Sequence, residues 1–97
     1  MGTALLSDDE IAAGLRELPG WTHVGASISR TVEAPTFLGG IDLVRRVGEA
    51  AERVNHHPDI DIRWRRVTFT LSTHSEGGIT HKDLALAGQI DRLADQG

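Results

Sequence analysis

The sequence predicts an α+β fold: a two-layer sandwich in which three helices cover one face of a four-stranded antiparallel sheet. Three segments place apolar residues three and four positions apart, which is the helix period. The extended segments between them have one apolar face each. The order is helix, strand, strand, helix, strand, strand, helix, so packing all helices on one sheet face is the economical way to bury these surfaces.

Length and composition exclude several classes of protein. The chain has 97 residues, and we expect residues 1–97 to form one domain. Fourteen acidic against ten basic residues give a formal charge of -4, which argues against nucleic acid as a partner. No apolar run reaches the roughly 18–20 residues of a membrane span, and the first residues lack the features of a secretion signal. Without cysteine there is no disulfide or thiolate chemistry, and we expect a cytoplasmic protein.

The first helix and the first hairpin are predicted from local signals. Ser7 and Glu10 have the spacing of a capping box, and Pro19-Gly20 is expected to end the helix. The apolar face of this helix consists of Ile11, Leu15 and Leu18. Two short strands, over 21–24 and 28–32, are expected to form the hairpin that follows.

The second helix is predicted to open after Pro35-Thr36 and to end before Pro58, because the residue preceding a proline is disfavoured in helical conformation. Its apolar stripe has spacings of four and three residues. The stripe consists of Phe37, Ile41, Val44, Val47, Ala51 and Val54. We expect this stripe to face the sheet.

The second hairpin has the clearest alternation of apolar and polar residues, over 59–64 and 67–71. Trp64 continues the apolar face of the first of these strands, so core packing is its default. The third helix is predicted to begin with Thr80 as its cap and Asp83 at the third position after it. Its apolar stripe consists of Leu86, Ile90 and Leu93.

Three histidines are predicted to converge on one place. Glu52 and His56 are four residues apart, so they would share a face in the last helical turn, where the carboxylate can hydrogen-bond one ring nitrogen. His57 follows on the exit from the helix. His74 ends a strand whose partner begins just after Pro58, and a hairpin brings two such ends together.

Clustered imidazoles suit proton transfer near neutral pH. A dehydration next to a ring nitrogen needs one group that protonates the departing hydroxyl and one that removes the proton from nitrogen. Other interpretations remain open from the residues alone. A histidine near a helix C-terminus can simply favour the helix dipole, and Asp83 can simply be a capping carboxylate. Glu52, His56 and His74 could instead hold a metal ion.

These spaced residues resemble those of the pterin-4a-carbinolamine dehydratases. The pattern is E-x3-H-H-P, five residues, an aromatic residue, nine residues, H, eight residues and D. In this chain it consists of Glu52, His56, His57, Pro58, Trp64, His74 and Asp83. The resemblance extends over nearly the whole chain.

The resemblance implies a hydro-lyase that converts 4a-hydroxytetrahydropterin to quinonoid dihydropterin, with the pterin as substrate and neither a further cofactor nor a metal. The catalytic residues it implies are His56, His74 and Glu52, with Glu52 orienting His56. The substrate-binding residues it implies are His57, Trp64 and Asp83. It also implies homodimers joined at sheet edges, tetramers joined through helices, and a functional link to an aromatic amino-acid hydroxylase.

Two positions depart from the family pattern. Trp64 stands where many members carry tyrosine, and Ile60 where some carry tryptophan, so we expect a different pocket shape. The alternative function is a non-catalytic relative of the same fold, which binds a pterin or a protein partner. The three histidines with Glu52 favour the enzyme, because a binding module needs neither an acid nor a base.

Overall fold

Four antiparallel strands form one sheet in the order β1-β2-β4-β3, and three helices pack on one of its faces. The computed structural model describes residues 3–96. The elements are α1 (Asp8–Leu15), β1 (Thr22–Val24), β2 (Ser27–Glu33), α2 (Phe37–Val54), β3 (Asp59–Arg63), β4 (Arg66–Leu71), a short 3-10 turn (His74–Glu76) and α3 (His81–Asp95). The predicted α+β class and element order are confirmed.

The apolar core lies between the helices and the inward face of the sheet. The two central strands supply its buried sheet residues, which are Ile28, Val32, Val67, Phe69 and Leu71. Alternate residues of the same strands are polar, among them Thr31 and Thr68, so the opposite face is open to solvent. No helix within residues 3–96 combines the length and the apolar character needed to cross a bilayer.

The register of the second hairpin positions the histidines. Asp59 lies opposite Thr70, and Arg63 lies opposite Arg66. The end of β4 therefore lies beside the start of β3. His74 follows β4 closely, so it lies near the residues that precede β3, as the predicted hairpin requires.

α1 is shorter than predicted. The capping box is present: Glu10 N–H donates to Ser7 Oγ at 3.1 Å, and Ser7 N–H donates to Glu10 Oε1 at 2.9 Å. The helix ends at Leu15 and does not reach Leu18. The Leu18 N–H instead bonds the Leu15 carbonyl three residues back, which is the tighter 3-10 pattern common at helix ends.

α2 presents a different side to the sheet than predicted. Phe37, Ile41 and Val54 of the predicted stripe are exposed, so that part of the prediction is wrong. The buried residues are Gly40, Leu43, Val47, Ala50 and Ala51. A Cβ atom at Gly40 would lie 3.3 Å from Cγ2 of Val67, so the helix approaches β4 closely at this glycine.

α2 ends in a Schellman motif centred on Asn55, which has the left-handed φ of 51°. Asn55 N–H bonds the Glu52 carbonyl at 3.2 Å, and His56 N–H bonds the Ala51 carbonyl at 3.1 Å. The helix thus stops at Val54, three residues before His57, the residue whose conformation Pro58 restricts. The prediction that His56 lies in the last helical turn is wrong.

The turn between β3 and β4 carries Trp64 out of the core. Trp64 and Arg65 form a two-residue connection, and Trp64 has a positive φ of 57°. Its side chain is 70% exposed, and the Arg65 guanidinium lies 4.7 Å from the ring centroid. Strand alternation therefore stops at Arg63, and the prediction of core packing for Trp64 is wrong.

The α1 capping box is expected to make stability depend on pH. Hydrogen bonds from the backbone and then the side chain of Ser7 lower the pKa of Glu10 below its usual 4.5. A group with a depressed folded-state pKa stabilises the fold above its unfolded pKa and loses this effect as pH falls through the folded value. We expect the stability gap between the wild type and Glu10→Gln to be constant above about pH 5.5 and to narrow below about pH 4.5.

Urea unfolding at intervals between about pH 3 and pH 7 measures this gap. Glu17→Gln, outside the capping box, is the control. A gap that keeps the same size at every pH would contradict the expectation.

Candidate functional site

The centre of the candidate site is a hydrogen bond between His56 and Asp83. His56 Nε2 lies 2.6 Å from Asp83 Oδ1. The Asp83 side chain is 0% exposed, and that of His56 is 11% exposed. The Schellman motif fixes the backbone of His56, and Asp83 lies in the first turn of α3. This bond therefore joins the end of α2 to the start of α3.

The second oxygen of Asp83 is held by two threonines. Oδ2 accepts from the Thr80 backbone N–H at 2.9 Å and from Thr73 Oγ1 at 2.9 Å. Thr73 Oγ1 also lies 2.7 Å from Thr80 Oγ1, and both threonines are buried. Within residues 3–96, no buried side-chain nitrogen or oxygen lacks a hydrogen-bond partner. The predicted capping role of Asp83 is confirmed.

Asp83 cannot bind a substrate directly, because it has no exposed surface and both of its oxygens are occupied. The predicted substrate-binding role of this residue is therefore wrong. Asp83 instead fixes the state of His56. With Asp83 ionised, its carboxylate only accepts hydrogen bonds, and Nε2 of His56 is then the nitrogen that carries the proton in their bond. Nδ1 is then the nitrogen through which the neutral ring can accept a proton.

His74 begins the 3-10 turn after β4 and is exposed. Thr73 N–H donates to the Gly78 carbonyl at 2.8 Å, and Gly77 closes the turn with a φ of 74°. The side chain lines a recess of about 290 Å³ on the open face of the sheet, the His74 recess. Its polar lining includes Asp59, Thr70 and Ser72.

His56 lines a second recess, of about 160 Å³, between the end of α2 and the start of α3. Its lining includes Val54, Lys82 and Gln89. The segment 56–59 runs from this recess to the other, since His56 lines one and Asp59 lines the other. Hydrogen bonds through Asp83 therefore link His56 to Thr73, the residue before His74, while the rings of His56 and His74 line separate recesses.

Glu52 pairs with His57 and not with His56. Glu52 Oε2 lies 3.0 Å from His57 Nε2, and the two side chains are 77% and 55% exposed. The prediction that Glu52 orients His56 is wrong, because His56 has left the helix and meets Asp83. Exposed ion pairs contribute only about 0–1 kcal/mol, so Glu52 holds His57 weakly.

The alternative metal site is not assembled. Among residues 3–96, no three His, Asp or Glu side chains are placed to share a metal ion. Glu52 contacts His57, and His56 contacts Asp83, so the set of Glu52, His56 and His74 does not come together.

Trp64 lies at the opposite end of β3 from the histidines. The five residues of β3 separate it from Pro58, a distance of about 20 Å at the usual rise per strand residue. Within one chain, Trp64 is therefore too distant to contact the same small ligand as His57 and His74. The prediction that they share a substrate is wrong for a single chain.

Sequence reasoning missed Thr73 and Asp59, and it missed the contact between His56 and Asp83. The spacing of Thr80 and Asp83 indicated a capping box, which occupies one carboxylate oxygen. It held no information about the partner of the other oxygen. The asparagine at position 55 was the available signal that His56 lies beyond the helix, since asparagine is common in the left-handed conformation just after a helix, which Asn55 adopts.

Comparison with known proteins decides the family. The family model described as "Pterin 4 alpha carbinolamine dehydratase" matches residues 4–93. The chain belongs to this family. A relative from Nocardia farcinica named "Putative pterin-4-alpha-carbinolamine dehydratase" is 65% identical over 94 residues, covering 97% of this chain and 99% of that protein. One of the same name from Mycobacteroides abscessus is 68% identical over 88 residues, covering 91% and 94%.

Solved structures share the pterin dehydratase fold. A crystal structure described as a transcriptional coactivator/pterin dehydratase from Brucella melitensis has a TM-score of 0.91 at 31% identity, covering 94% of this chain and 99% of its own. A pterin dehydratase-like protein described as a RuBisCO assembly factor in the alpha-carboxysome has a TM-score of 0.64 at 16% identity, covering 76% and 86%. The second likeness shows the fold alone.

Removal of the Asp83 carboxylate is expected to destabilise this pterin dehydratase fold strongly. In Asp83→Ala, the Thr80 N–H, the Thr73 hydroxyl and the His56 ring lose an acceptor in a buried place. We expect the free energy of unfolding, measured in urea, to fall by about 3–5 kcal/mol.

Asp61→Ala is the matched control, because Asp61 forms an exposed ion pair with Arg63 at 3.2 Å. Its loss should cost at most about 1 kcal/mol. Equally small losses for the two variants would contradict the importance of the buried carboxylate.

Proposed function

We propose that this chain is a hydro-lyase that dehydrates 4a-hydroxytetrahydropterin to quinonoid dihydropterin. Family membership supplies the substrate class. The observation that carries the proposal is the buried Asp83–His56 pair, which Thr73 connects to the turn that begins at His74. A module that only binds has no need for an imidazole held by a buried carboxylate with one nitrogen left to accept a proton.

The proposed reaction consists of two proton transfers and one bond cleavage. The C4a hydroxyl takes up a proton, the C4a–O bond breaks, and water leaves. N5 gives up its proton, and the electron pair of the N–H bond forms the C4a=N5 double bond. Imidazoles can donate and accept protons near neutral pH, so this chemistry needs no further cofactor and no metal.

We assign the two proton transfers to His56 and His74. His56 would act through Nδ1, because Asp83 occupies Nε2. His74 is exposed and borders a recess large enough to admit part of a bicyclic ring. The segment 56–59 connects the two recesses, so a pterin lying along it would meet both imidazoles.

The remaining polar groups of the site would hold the pterin. His57 lies in the chain between His56, which lines one recess, and Asp59, which lines the other, and its ring is hydrogen-bonded to Glu52. In the His74 recess, Asp59 can accept hydrogen bonds from the amino group and ring N–H of a pterin. Thr70 and Ser72 offer hydroxyls to its oxo group and ring nitrogens.

The histidine assignment predicts large kinetic losses. We expect His56→Ala or His74→Ala to slow enzymatic dehydration by about 10²- to 10⁴-fold, which is the usual contribution of general acid–base catalysis. The decay of 4a-hydroxytetrahydropterin, followed by ultraviolet absorbance against its spontaneous rate, measures this effect.

His23→Ala is the matched control, because His23 lies on β1 and contacts the Gly25 carbonyl. It should keep the wild-type rate. A wild type that does not exceed the spontaneous rate would contradict the enzyme proposal, and unchanged rates in both variants would contradict the assignment of roles.

We also propose a cytoplasmic homo-oligomer that is linked functionally to an aromatic amino-acid hydroxylase, the class of enzyme that would form its substrate. No strand of the described residues 3–96 pairs with the outer edge of β3, which suits pairing with a second copy. α2 exposes apolar side chains in its first turns, at Phe37, Leu38 and Ile41, and again at its last residue, Val54. Such a surface marks an interaction site when it is contiguous.

The α2 surface also favours a second candidate function, a non-catalytic interaction module of the same fold. The two candidates differ in the dehydration assay, since a module would leave the spontaneous rate unchanged. Both candidates predict an interface on α2.

The oligomer proposal predicts that a charge on α2 reduces the molecular mass in solution. Ile41→Asp should lower the mass measured by light scattering, because a buried unpaired carboxylate opposes association. Val24→Asp, at an exposed apolar position on β1, is the matched control and should keep the wild-type mass. A monomeric wild type, or a variant of unchanged mass, would contradict the α2 interface.

A further inference from the structure

We propose that Thr73 is a positioning residue whose hydroxyl aligns His56 with His74. None of its hydrogen bonds within residues 3–96 is to either ring. The side chain of Thr73 holds His56 through Asp83, and its backbone begins the turn that carries His74. This inference rests on the proposed dehydratase function and adds to it a residue that sets the relation between the two proton-transfer groups.

The direction of the hydroxyl hydrogen bonds follows from the available protons. The ionised Asp83 only accepts, so Thr73 Oγ1 donates to Asp83 Oδ2 at 2.9 Å. Thr73 has no second hydroxyl proton, so Thr80 Oγ1 donates to Thr73 Oγ1 at 2.7 Å. The Thr80 oxygen in turn accepts from the Lys82 N–H at 3.2 Å. The relay therefore runs from Thr80 to Thr73 to Asp83.

This relay fixes the orientation of the Asp83 carboxylate. Two donors, the Thr73 hydroxyl and the Thr80 N–H, hold Oδ2, which leaves Oδ1 directed at His56. Thr73 is 3% exposed, and Thr80 and Asp83 are 0% exposed, so bulk water cannot easily replace a lost donor. Loss of the Thr73 hydroxyl frees Asp83 to rotate and leaves the Thr80 hydroxyl without its acceptor.

The turn that carries His74 does not depend on this hydroxyl. Backbone bonds close it, from Thr73 N–H to the Gly78 carbonyl at 2.8 Å and from Gly77 N–H to the His74 carbonyl at 3.2 Å. Removal of the hydroxyl should therefore disturb His56 and spare His74. A general loss of structure would disturb both, and this difference separates positioning from a merely structural role.

The test compares Thr73→Val, which keeps the shape of the side chain, with Thr73→Ser, which keeps the hydroxyl. Nitrogen-15 NMR of the histidine rings in the free protein reports the tautomer of each neutral ring. We expect His56 in the Nε2–H form in the wild type and Thr73→Ser, and a mixture of tautomers in Thr73→Val, with the His74 signals unchanged in all three.

The same variants are assayed for dehydration of 4a-hydroxytetrahydropterin. We expect Thr73→Val to lower kcat by about 10- to 100-fold, as the loss of a group that orients an active-site histidine commonly does, with little change in KM. Thr73→Ser should restore the rate. Thr68→Val is the matched control, because it breaks the exposed Thr31–Thr68 hydroxyl pair, also 2.7 Å long, and it should change neither readout.

A Thr73→Val protein with the wild-type His56 tautomer and kcat would overturn the proposal. So would a Thr73→Ser protein that loses as much as Thr73→Val, since the hydroxyl would then not be the cause. If Thr73→Val fails to fold by circular dichroism, Thr73→Ala takes its place with the same criteria, because it also removes the hydroxyl that donates to Asp83. If the wild type proves inactive, the dehydratase function fails, while the NMR comparison still decides the role of Thr73.

Discussion

A single buried carboxylate, that of Asp83, constrains both the fold and the candidate site. An ionised group without solvent contact is strongly destabilising unless hydrogen bonds satisfy it. Asp83 meets this condition through the Thr80 N–H, the Thr73 hydroxyl and the His56 ring. These partners come from the start of α3, the end of β4 and the end of α2. Three separate segments are thereby joined at one side chain. Two of these segments carry or adjoin the histidines His56 and His74, so this junction positions both.

The contrast between the two carboxylate–histidine pairs explains the assignment of roles. The Asp83–His56 pair is almost wholly buried and is supported by a hydroxyl relay, whereas the Glu52–His57 pair is exposed. Water screens an exposed pair to about 0–1 kcal/mol, while breaking a buried pair costs about 3–5 kcal/mol. The buried pair holds the His56 ring in one orientation, which suits it to proton transfer, whereas the exposed pair holds the His57 ring only weakly.

Much of this could be predicted from the sequence, because the signals are local. The capping boxes at Ser7 and Thr80 helped to predict the order of the elements. The alternation in the second hairpin was sufficient to predict that His74 lies near the start of β3. The failures are tertiary. α2 is apolar over a wide arc, and the part that faces the sheet is the one that carries Gly40, where the helix approaches Val67 closely. Trp64 continues a strand pattern, yet the chain turns there without the usual Asn-Gly signal. The partner of His56 lies 27 residues away, beyond the reach of any helical spacing.

The most direct measurement of the central claim is the dehydration rate of Asp83→Asn. Asparagine preserves shape and can still accept from Thr80 and Thr73, but its amide N–H groups would face His56 Nε2 and favour the opposite tautomer. The same replacement in a serine protease triad keeps the geometry and lowers kcat by about 10⁴-fold. We expect a folded variant whose kcat falls by about 10²- to 10⁴-fold. A folded variant that dehydrates the pterin at the wild-type rate would contradict it.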